Sequence, residues 1–289
     1  MQRKNFIRLS TLGFMGLYSC GISRSANHKE PLAIQLYTVR DAVSDNLEKA
    51  LEKLAALGFT ALEIYGYNGN FFGKSRTEFQ SVLKNTGFKV ISSHHTTGIT
   101  DKSKGTLLNG WEQSVDDLNF IGSQYMVCSY LFPEERTVEN FKKLPELLEK
   151  SGKTTKSSGI QFAYHNHDFE FEKWNNEINT YDFILENTSP DLVKMELDLY
   201  WISKAGLDPL DYFEKYPGRF PLWHVKDMQK NTRDFTEIGN GIIDFKRIFD
   251  AREKAGLKHW FLEQDSSDKD IFESIAISKE YILNHNFLR

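Results

Sequence analysis

The chain has 289 residues, of which 40% are hydrophobic and 26% charged, and this composition excludes a wholly disordered protein. Its two cysteines, Cys20 and Cys128, exclude a disulfide scaffold and a thiolate-rich metal site. The formal net charge of -4, without a long basic run, argues against nucleic acid as a partner, because phosphates favour clustered Lys and Arg.

The first 20 residues have the layout of a bacterial export signal. A basic start without acidic residues precedes a short apolar stretch, residues 12–18, which is too short to span a bilayer as a stable helix. Residues 17–20 resemble a lipobox, in which Cys20 is lipidated and becomes the mature N-terminus, and the basic start also resembles a weakened twin-arginine signal. We predict a signal peptide over 1–20, a polar tether over 21–30, and an exported protein that is periplasmic or anchored to a membrane by a lipid on Cys20. The alternative is an amphipathic helix packed on the core.

The remaining chain alternates strand-like and helix-like segments eight times. A capping box over 45–48 starts the first helix and Gly58 ends it; glycines end later helices in the same way. The strand-like runs are residues 31–37, 59–66, 88–94, 123–130, 160–166, 192–198, 220–226 and 257–264. After the first helix, further helices are predicted at about 75–86, 107–121, 137–157, 178–187, 208–215, 243–255 and 268–284.

Eight strands, each followed by a helix, predict an α/β fold of the (β/α)8 TIM-barrel type, with one domain over residues 31–289. The competing architecture is an open doubly wound sheet, which binds phosphate or a dinucleotide at a glycine-rich loop after the first strand. No such loop follows the first strand here, so we favour the barrel.

Polar residues cluster at the predicted carboxyl ends of the strands, where a TIM barrel carries its functional site. Five of the eight histidines lie at three of these ends. Imidazoles and carboxylates that meet at one rim are the ligands that a divalent metal ion needs. The residues at or near the strand ends are Gln35, Glu63, Tyr65, His94, His95, His165, His167, Asp198, Trp201, His224, Lys226 and Glu263.

Some of these side chains also have a structural interpretation. Glu63 and Glu196 lie inside strands, and for Glu196 we favour a structural carboxylate. Of the neighbours His94 and His95, alternation along the strand sends one into the barrel and the other towards the helices. The sequence does not decide which of the two histidines faces inward.

The strand motifs resemble the xylose-isomerase-like barrel family of sugar isomerases and epimerases, in the superfamily shared with endonuclease IV. The resemblance covers residues 32–284, and its motifs are IQLYTVRD, FTALEIYG, VISSHH, FAYHNHDFEF, MELDLYW, WHVKDM and FLEQD. HVKD and YHNHDFEF are similar to the branch usually labelled sugar phosphate isomerase/epimerase, to which inosose dehydratases and 3-keto-glycoside lyases are also similar. A nuclease is disfavoured, because Trp201 stands where endonuclease-like members have a metal-binding histidine.

The resemblance implies one divalent metal ion, with manganese expected first and zinc, magnesium or cobalt as alternatives. By position, three of its ligands are Asp198, His224 and Glu263. His165 stands where many relatives have glutamate, and we expect it to be the fourth ligand, with Glu170 or water as its replacement.

The predicted activity is that of a metal-dependent sugar isomerase or epimerase, which removes a proton next to a carbonyl and forms an enediolate. Glu263 is the expected base, and Lys226 is expected to stabilise the enediolate oxygen, with a solvent-exposed lysine as the alternative. His167 is expected to return the proton, and His94 and Glu63 stay open for that role. The expected substrate-binding residues are Gln35, Glu63, Tyr65, His94 and Trp201.

Two rival functions stay open. A 3-keto-glycoside lyase or dehydratase shares the first proton abstraction but then expels a leaving group. A non-catalytic sugar-binding lipoprotein would not need the metal ligands. The expected partner is a small sugar or keto-sugar, without nucleic acid, with membrane contact only through the lipid anchor, and with a homo-oligomer left open.

Overall fold

The structure, a computed structural model, describes residues 31–174 and 177–285, and its strands confirm the predicted barrel. The predicted signal peptide, lipobox and tether lie outside the described residues. In chain order, the strands are β1 (Ala33–Gln35), β2 (Ala61–Ile64), β3 (Lys89–Thr96), β4 (Tyr125–Tyr130), β5 (Gln161–His165), β6 (Lys173–Trp174), β7 (Ile178–Asn179), β8 (Val193–Asp198), β9 (Leu222–Val225), β10 (Asp227–Met228), β11 (Phe235–Thr236) and β12 (His259–Leu262). The closed barrel has the order β1-β12-β9-β8-β5-β4-β3-β2, and β6–β7 and β10–β11 are short hairpins.

Helices lie between the barrel strands. They are α1 (Arg40–Asp45), α2 (Leu47–Ala56), α3 (Arg76–Thr86), α4 (Trp111–Phe120), α5 (Val138–Ser157), α6 (Thr180–Asn187), α7 (Leu199–Lys204), α8 (Pro209–Lys215), α9 (Phe245–Asp250), α10 (Arg252–Ala255) and α11 (Ile271–Asn284). Short 3-10 helices occupy Leu36–Val39, Pro133–Glu135 and Phe169–Phe171. Across the part of the chain that the structure describes, no helix combines the length and the apolar character that a membrane crossing requires.

The start of the first long helix differs from the sequence prediction. The predicted capping box begins at Asp45, but Asp45 is the last residue of α1. Asn46 adopts the extended conformation between α1 and α2, and its side chain accepts a hydrogen bond from the backbone N–H of Lys49. The cap is therefore one residue later than predicted, because the short helix α1 extends through Asp45.

The apolar residues form two clusters, one outside the barrel strands and one inside the barrel. The larger core lies between strands and helices. The smaller cluster takes one residue from each of seven barrel strands, namely Ala33, Ala61, Ile91, Val127, Ala163, Leu222 and Phe261. It fills the lower interior of the barrel, so the polar side chains further along the strands converge near the carboxyl-terminal rim.

Candidate metal centre

Irregular pairing between β2 and β3 sets which side chains of β3 face inward. Leu62 pairs with Val90, and the next residue, Glu63, pairs with Ser92, so one residue of β3 is extra at Ile91. Side chains alternate between the two faces of a strand, and an extra residue reverses that alternation from there on.

The reversal turns His94 into the barrel and His95 out of it. The Nε2 atom of His94 lies 2.7 Å from Oε2 of Glu196. His95 packs edge-to-face on Trp111, with ring centroids 5.1 Å apart, and its Nδ1 atom lies 2.7 Å from the carbonyl oxygen of Gly105. His94 is therefore the member of the pair at the site, and His95 braces a loop at its edge.

Two fully buried glutamates, Glu63 and Glu196, form the floor of the site with three imidazoles. Oε2 of Glu63 lies 3.0 Å from Nε2 of His94 and 2.5 Å from Nε2 of His224. Oε2 of Glu196 lies 3.1 Å from Nδ1 of His165 and 3.3 Å from Nε2 of His224. Potential ligand atoms of His94, His165, Glu196 and His224 all lie within 4.8 Å of one another.

A second group of potential ligands lies beside this floor and shares His224. Ligand atoms of Asp198, His224 and Glu263 lie within 4.8 Å of one another. Nδ1 of His224 is 2.5 Å from Oε2 of Glu263, and Nε2 of His165 is 3.7 Å from Oδ2 of Asp198. The other Asp198 oxygen caps α7 by accepting the backbone N–H groups of residues 200 and 201. Three of the four ligands implied by the resemblance, Asp198, His224 and Glu263, thus lie in one group, whereas His165 belongs to the floor group and approaches Asp198.

Lys226 is buried among carboxylates, so the solvent-exposed alternative for this lysine is wrong. Its side chain is 3% exposed, and Nζ lies 2.6 Å from Glu263, 3.0 Å from Asp198 and 3.1 Å from Asp265. Burial opposes its charged form, but the three carboxylates outweigh burial and hold the pKa of Lys226 well above its usual range. The ammonium therefore stays charged.

The imidazoles fall into two electrostatic classes. Burial disfavours the charged form of His94 and His224, but the surrounding carboxylates raise the pKa of His94 to about 9 and that of His224 well above its usual value. Burial, reinforced by neighbouring positive charge, holds the pKa values of His165 and His167 well below the usual range. His165 and His167 are therefore neutral and available as ligand or base.

The buried charges suit a divalent cation. Glu63, Glu196, Asp198 and Glu263 are at most 4% exposed, and Lys226 is the one ammonium among them. One oxygen of Glu63 and one of Glu196, Oε1 in both, are buried without a hydrogen-bond partner. An excess of buried carboxylate beside imidazole nitrogen is the donor chemistry of a divalent metal site, and His224 would have to release its proton to bind the ion.

A cavity of about 360 Å³ opens above these residues. Six predicted site residues are among those lining it, namely Tyr65, His94, His165, His167, Lys226 and Glu263. Tyr37, Tyr67, Asn68, Asp101, Ser103, Thr106 and Ser129 also line it. It therefore combines aromatic faces with hydroxyl, amide and carboxylate groups.

Three predicted substrate-binding residues are not among the residues lining this cavity. Gln35 and Glu63 are fully buried, and Nε2 of Gln35 donates a hydrogen bond of 2.8 Å to Glu63. Trp201 packs against His167, with ring centroids 5.3 Å apart. These side chains support the site from below or behind.

Glu170, the predicted replacement ligand, lies behind the wall of β5. Its two carboxyl oxygens accept hydrogen bonds of 2.8 Å from the hydroxyl of Tyr164 and from the backbone N–H of His167. Burial raises the pKa of Glu170 to about 8. Glu170 therefore fixes the backbone at His167 and is not among the clustered ligand atoms of the described chain.

Sequence reasoning missed the central place of Glu196. Glu196 and Asp198 are two residues apart on β8, so they share one face of the strand. This spacing is readable in the sequence, and it predicts that if the side chain of Asp198 points into the barrel, that of Glu196 does so too. Asp265, which contacts Lys226, was also missed.

Comparisons with known proteins agree with this architecture. A family model described as a xylose isomerase-like TIM barrel matches residues 51–281. An inosose dehydratase of Lacticaseibacillus casei is 24% identical over 269 residues, which cover 81% of this chain and 88% of the relative.

Two solved structures share the fold. A sugar phosphate isomerase/epimerase from Parabacteroides distasonis ATCC 8503 is 27% identical with a TM-score of 0.79, over 92% of this chain and 97% of that one. The IOLI protein with a bound zinc atom is 15% identical with a TM-score of 0.68, over 88% of this chain and 97% of that one. The motifs, the closed barrel and the family model together show that the chain belongs to the xylose isomerase-like TIM barrel family.

Proposed function

We propose that this protein is a metal-dependent sugar isomerase or epimerase that removes a proton from the carbon next to a sugar carbonyl. The proposal rests on the position of Glu263, which meets two requirements at once. Its carboxylate lines the cavity and also belongs to the cluster of potential metal ligands.

His165, Asp198, His224 and Glu263 are the proposed holders of one divalent ion, with manganese first and zinc, magnesium or cobalt as alternatives. When bound, such an ion polarises a carbonyl oxygen and thereby acidifies the neighbouring carbon. Two carboxylates and two imidazoles suit this ion, because they combine negative charge with nitrogen donors, and His224 becomes a neutral donor when the ion replaces its proton.

Glu263 is the proposed base. Burial favours its protonated form, but Lys226 and His224 outweigh burial and hold the pKa of Glu263 well below its usual range. The carboxylate is therefore ionised, which is the state that a base requires. Lys226, which also lines the cavity, is placed to offset negative charge that develops on the substrate oxygen.

His167 is the proposed group that returns the proton, and because burial keeps its imidazole neutral, it must first take up that proton from water in the cavity. Its imidazole lines the cavity and follows strand β5, which is separated from β12 by β8 and β9 around the barrel. Nδ1 of His167 is buried without a hydrogen-bond partner, which leaves this nitrogen free of competing contacts. A base and an acid on well-separated strands act on different sides of one carbon.

The cavity favours an uncharged sugar. Among its lining residues, Lys226 is the only lysine or arginine, and three carboxylates already surround its ammonium. Asp101 adds a carboxylate to the wall, so a phosphate group would lack a free cationic partner. Tyr37 and Tyr65 offer ring faces on which the apolar side of a sugar packs.

Solvent deuterium exchange tests the proposal. In D₂O with added manganese, the wild-type protein should incorporate deuterium next to the carbonyl of a neutral ketose or keto-glycoside, while Glu263→Gln should not. Metal content is measured in every variant, since glutamine also weakens metal binding. Glu134→Gln, at an exposed position, is the matched control and should behave like the wild type.

Two outcomes of this experiment test different parts of the proposal, namely the reaction and the identity of the base. If no carbonyl sugar of either class exchanges in the presence of metal-loaded wild type, the proposed reaction is wrong. Full exchange by a metal-loaded Glu263→Gln protein would assign the base to another group, with His167 next.

A dehydratase or lyase is the second candidate, and the similarity to an inosose dehydratase favours it. Proton abstraction is the same, but a group on the next carbon then leaves. Product analysis on one 3-keto-glycoside and one free ketose separates elimination from epimerisation. A non-catalytic sugar binder is disfavoured, because binding alone does not require the assembled ligands and charged Lys226.

For location, we propose an exported protein held at the membrane by a lipid on Cys20. The basic start, short apolar stretch and lipobox-like residues 17–20 support this proposal. Measuring the mass of the protein in solution tests whether it forms a homo-oligomer.

A further inference from the structure

We infer that Glu196, assisted by Glu63, is a positioning residue that aims two imidazoles at the metal ion without binding the ion itself. This inference rests on the proposed metal site. It concerns a buried carboxylate for which the sequence favoured a purely structural role.

His224 connects the two acidic groups through its two ring nitrogens. Nδ1 lies 2.5 Å from Glu263, on the side of the proposed ligands. Nε2 lies 2.5 Å from Glu63 and 3.3 Å from Glu196, on the side of the floor. The ring therefore presents opposite nitrogens to the ligand group and to the floor.

His165 repeats this arrangement. Its Nδ1 lies 3.1 Å from Oε2 of Glu196, while its Nε2 lies 3.7 Å from Oδ2 of Asp198. Both proposed imidazole ligands thus place one nitrogen on the same glutamate oxygen and the other towards the outer carboxylates. A hydrogen bond from one ring nitrogen to a carboxylate fixes the tautomer and the ring orientation, and it increases the basicity of the other nitrogen.

The contacts of Glu196 favour positioning over direct ligation. Its Oε2 atom faces one ring nitrogen each of His94, His165 and His224, at 2.7, 3.1 and 3.3 Å. An oxygen that already faces three imidazole nitrogens orients those rings, and Asp198 has no such arrangement. The rival arrangement would use Oε1 of Glu196, which has no hydrogen-bond partner, as a direct ligand.

The two glutamates differ in how many proposed ligands they contact. Glu196 contacts both His165 and His224, whereas Glu63 contacts only His224 of this pair. Removing the charge of Glu196 should therefore weaken metal binding more than removing the charge of Glu63. Positioning predicts this order of metal affinities, whereas a general loss of folding would not produce it.

The test uses Co²⁺ as the probe, because its visible absorption reports the ligand set and its affinity is measured by competition with a chelator. Glu196→Gln should bind one Co²⁺ about 10–100-fold more weakly than the wild type, with an unchanged absorption spectrum. Glu63→Gln should show a smaller loss, and Glu134→Gln should show none. Asp198→Asn, which changes a proposed ligand, should alter the spectrum.

Each alternative result has a defined meaning. A Glu196→Gln spectrum altered in the same way as that of Asp198→Asn would make Glu196 a ligand and overturn the inference. Unchanged affinity in a folded Glu196→Gln protein, checked by circular dichroism, would also overturn it. If Glu196→Gln does not fold, an unchanged affinity in Glu63→Gln overturns it. Absence of Co²⁺ binding by the wild type would overturn the proposed metal site itself, and the inference with it.

Discussion

Asp227, directly after Lys226, should be a stability determinant of the loop over 237–243. Its carboxylate is 1% exposed. Oδ1 accepts backbone N–H groups of Met228 and Ile243 at 2.8 and 3.2 Å, and Oδ2 accepts those of Gly239 and Gly241 at 2.8 and 3.0 Å. One charged side chain thus ties the loop to the segment directly after β9, the strand that carries His224.

The expected cost of Asp227→Asn follows from these contacts. The amide keeps one oxygen, so two hydrogen bonds survive, while its NH₂ group faces two backbone N–H donors. A hydrogen bond to a charged acceptor contributes about 1.5–3 kcal/mol, so losing two destabilises the protein by about 3–6 kcal/mol. That is a large part of a typical free energy of unfolding, about 5–15 kcal/mol.

Urea denaturation followed by tryptophan fluorescence measures this change. The matched control is Asp250→Asn, at an exposed position whose carboxylate pairs only with the exposed side chain of Lys246, and it should leave the transition unchanged. A loss below about 1 kcal/mol for Asp227→Asn would refute the argument, because four charge-assisted bonds cannot then be holding the loop.

Two further predictions concern Glu170 and Cys20. Burial raises the pKa of Glu170 from 4.5 to about 8, so the folded protein retains a proton that the unfolded chain releases, and this group lowers stability as pH rises through that window. Relative to the wild type, Glu170→Gln should therefore gain free energy of unfolding between pH 5 and pH 8 in urea titrations, and a constant difference would contradict the assigned direction. Cys20→Ala should move the protein from the membrane fraction to the soluble fraction, and unchanged partition would rule out the lipid anchor.

Much of the fold could be predicted because its signals are local. Helical periodicity, capping residues and terminal glycines act within a few residues, and they located eight strand–helix units. The details that needed the structure include the cap at Asn46, the division of the predicted helix over 243–255 into α9 and α10, and the short helix Leu199–Lys204 after β8. The side chain of Asp198 caps that short helix, so one aspartate serves both helix formation and the metal centre.

The sequence by itself determined which residues arrive at the rim of the barrel, since the end of each strand is a local property. His165, Asp198, His224 and Glu263 lie among these residues, and the resemblance to the barrel family implied that they act together as ligands. Their arrangement depended on neighbours distant in sequence. The extra residue at Ile91 exists only through the pairing of β3 with β2, and it decides that His94 enters the barrel. The burial of Lys226 and the central place of Glu196 likewise follow from charges on other strands, because only closure of the barrel brings those strands together.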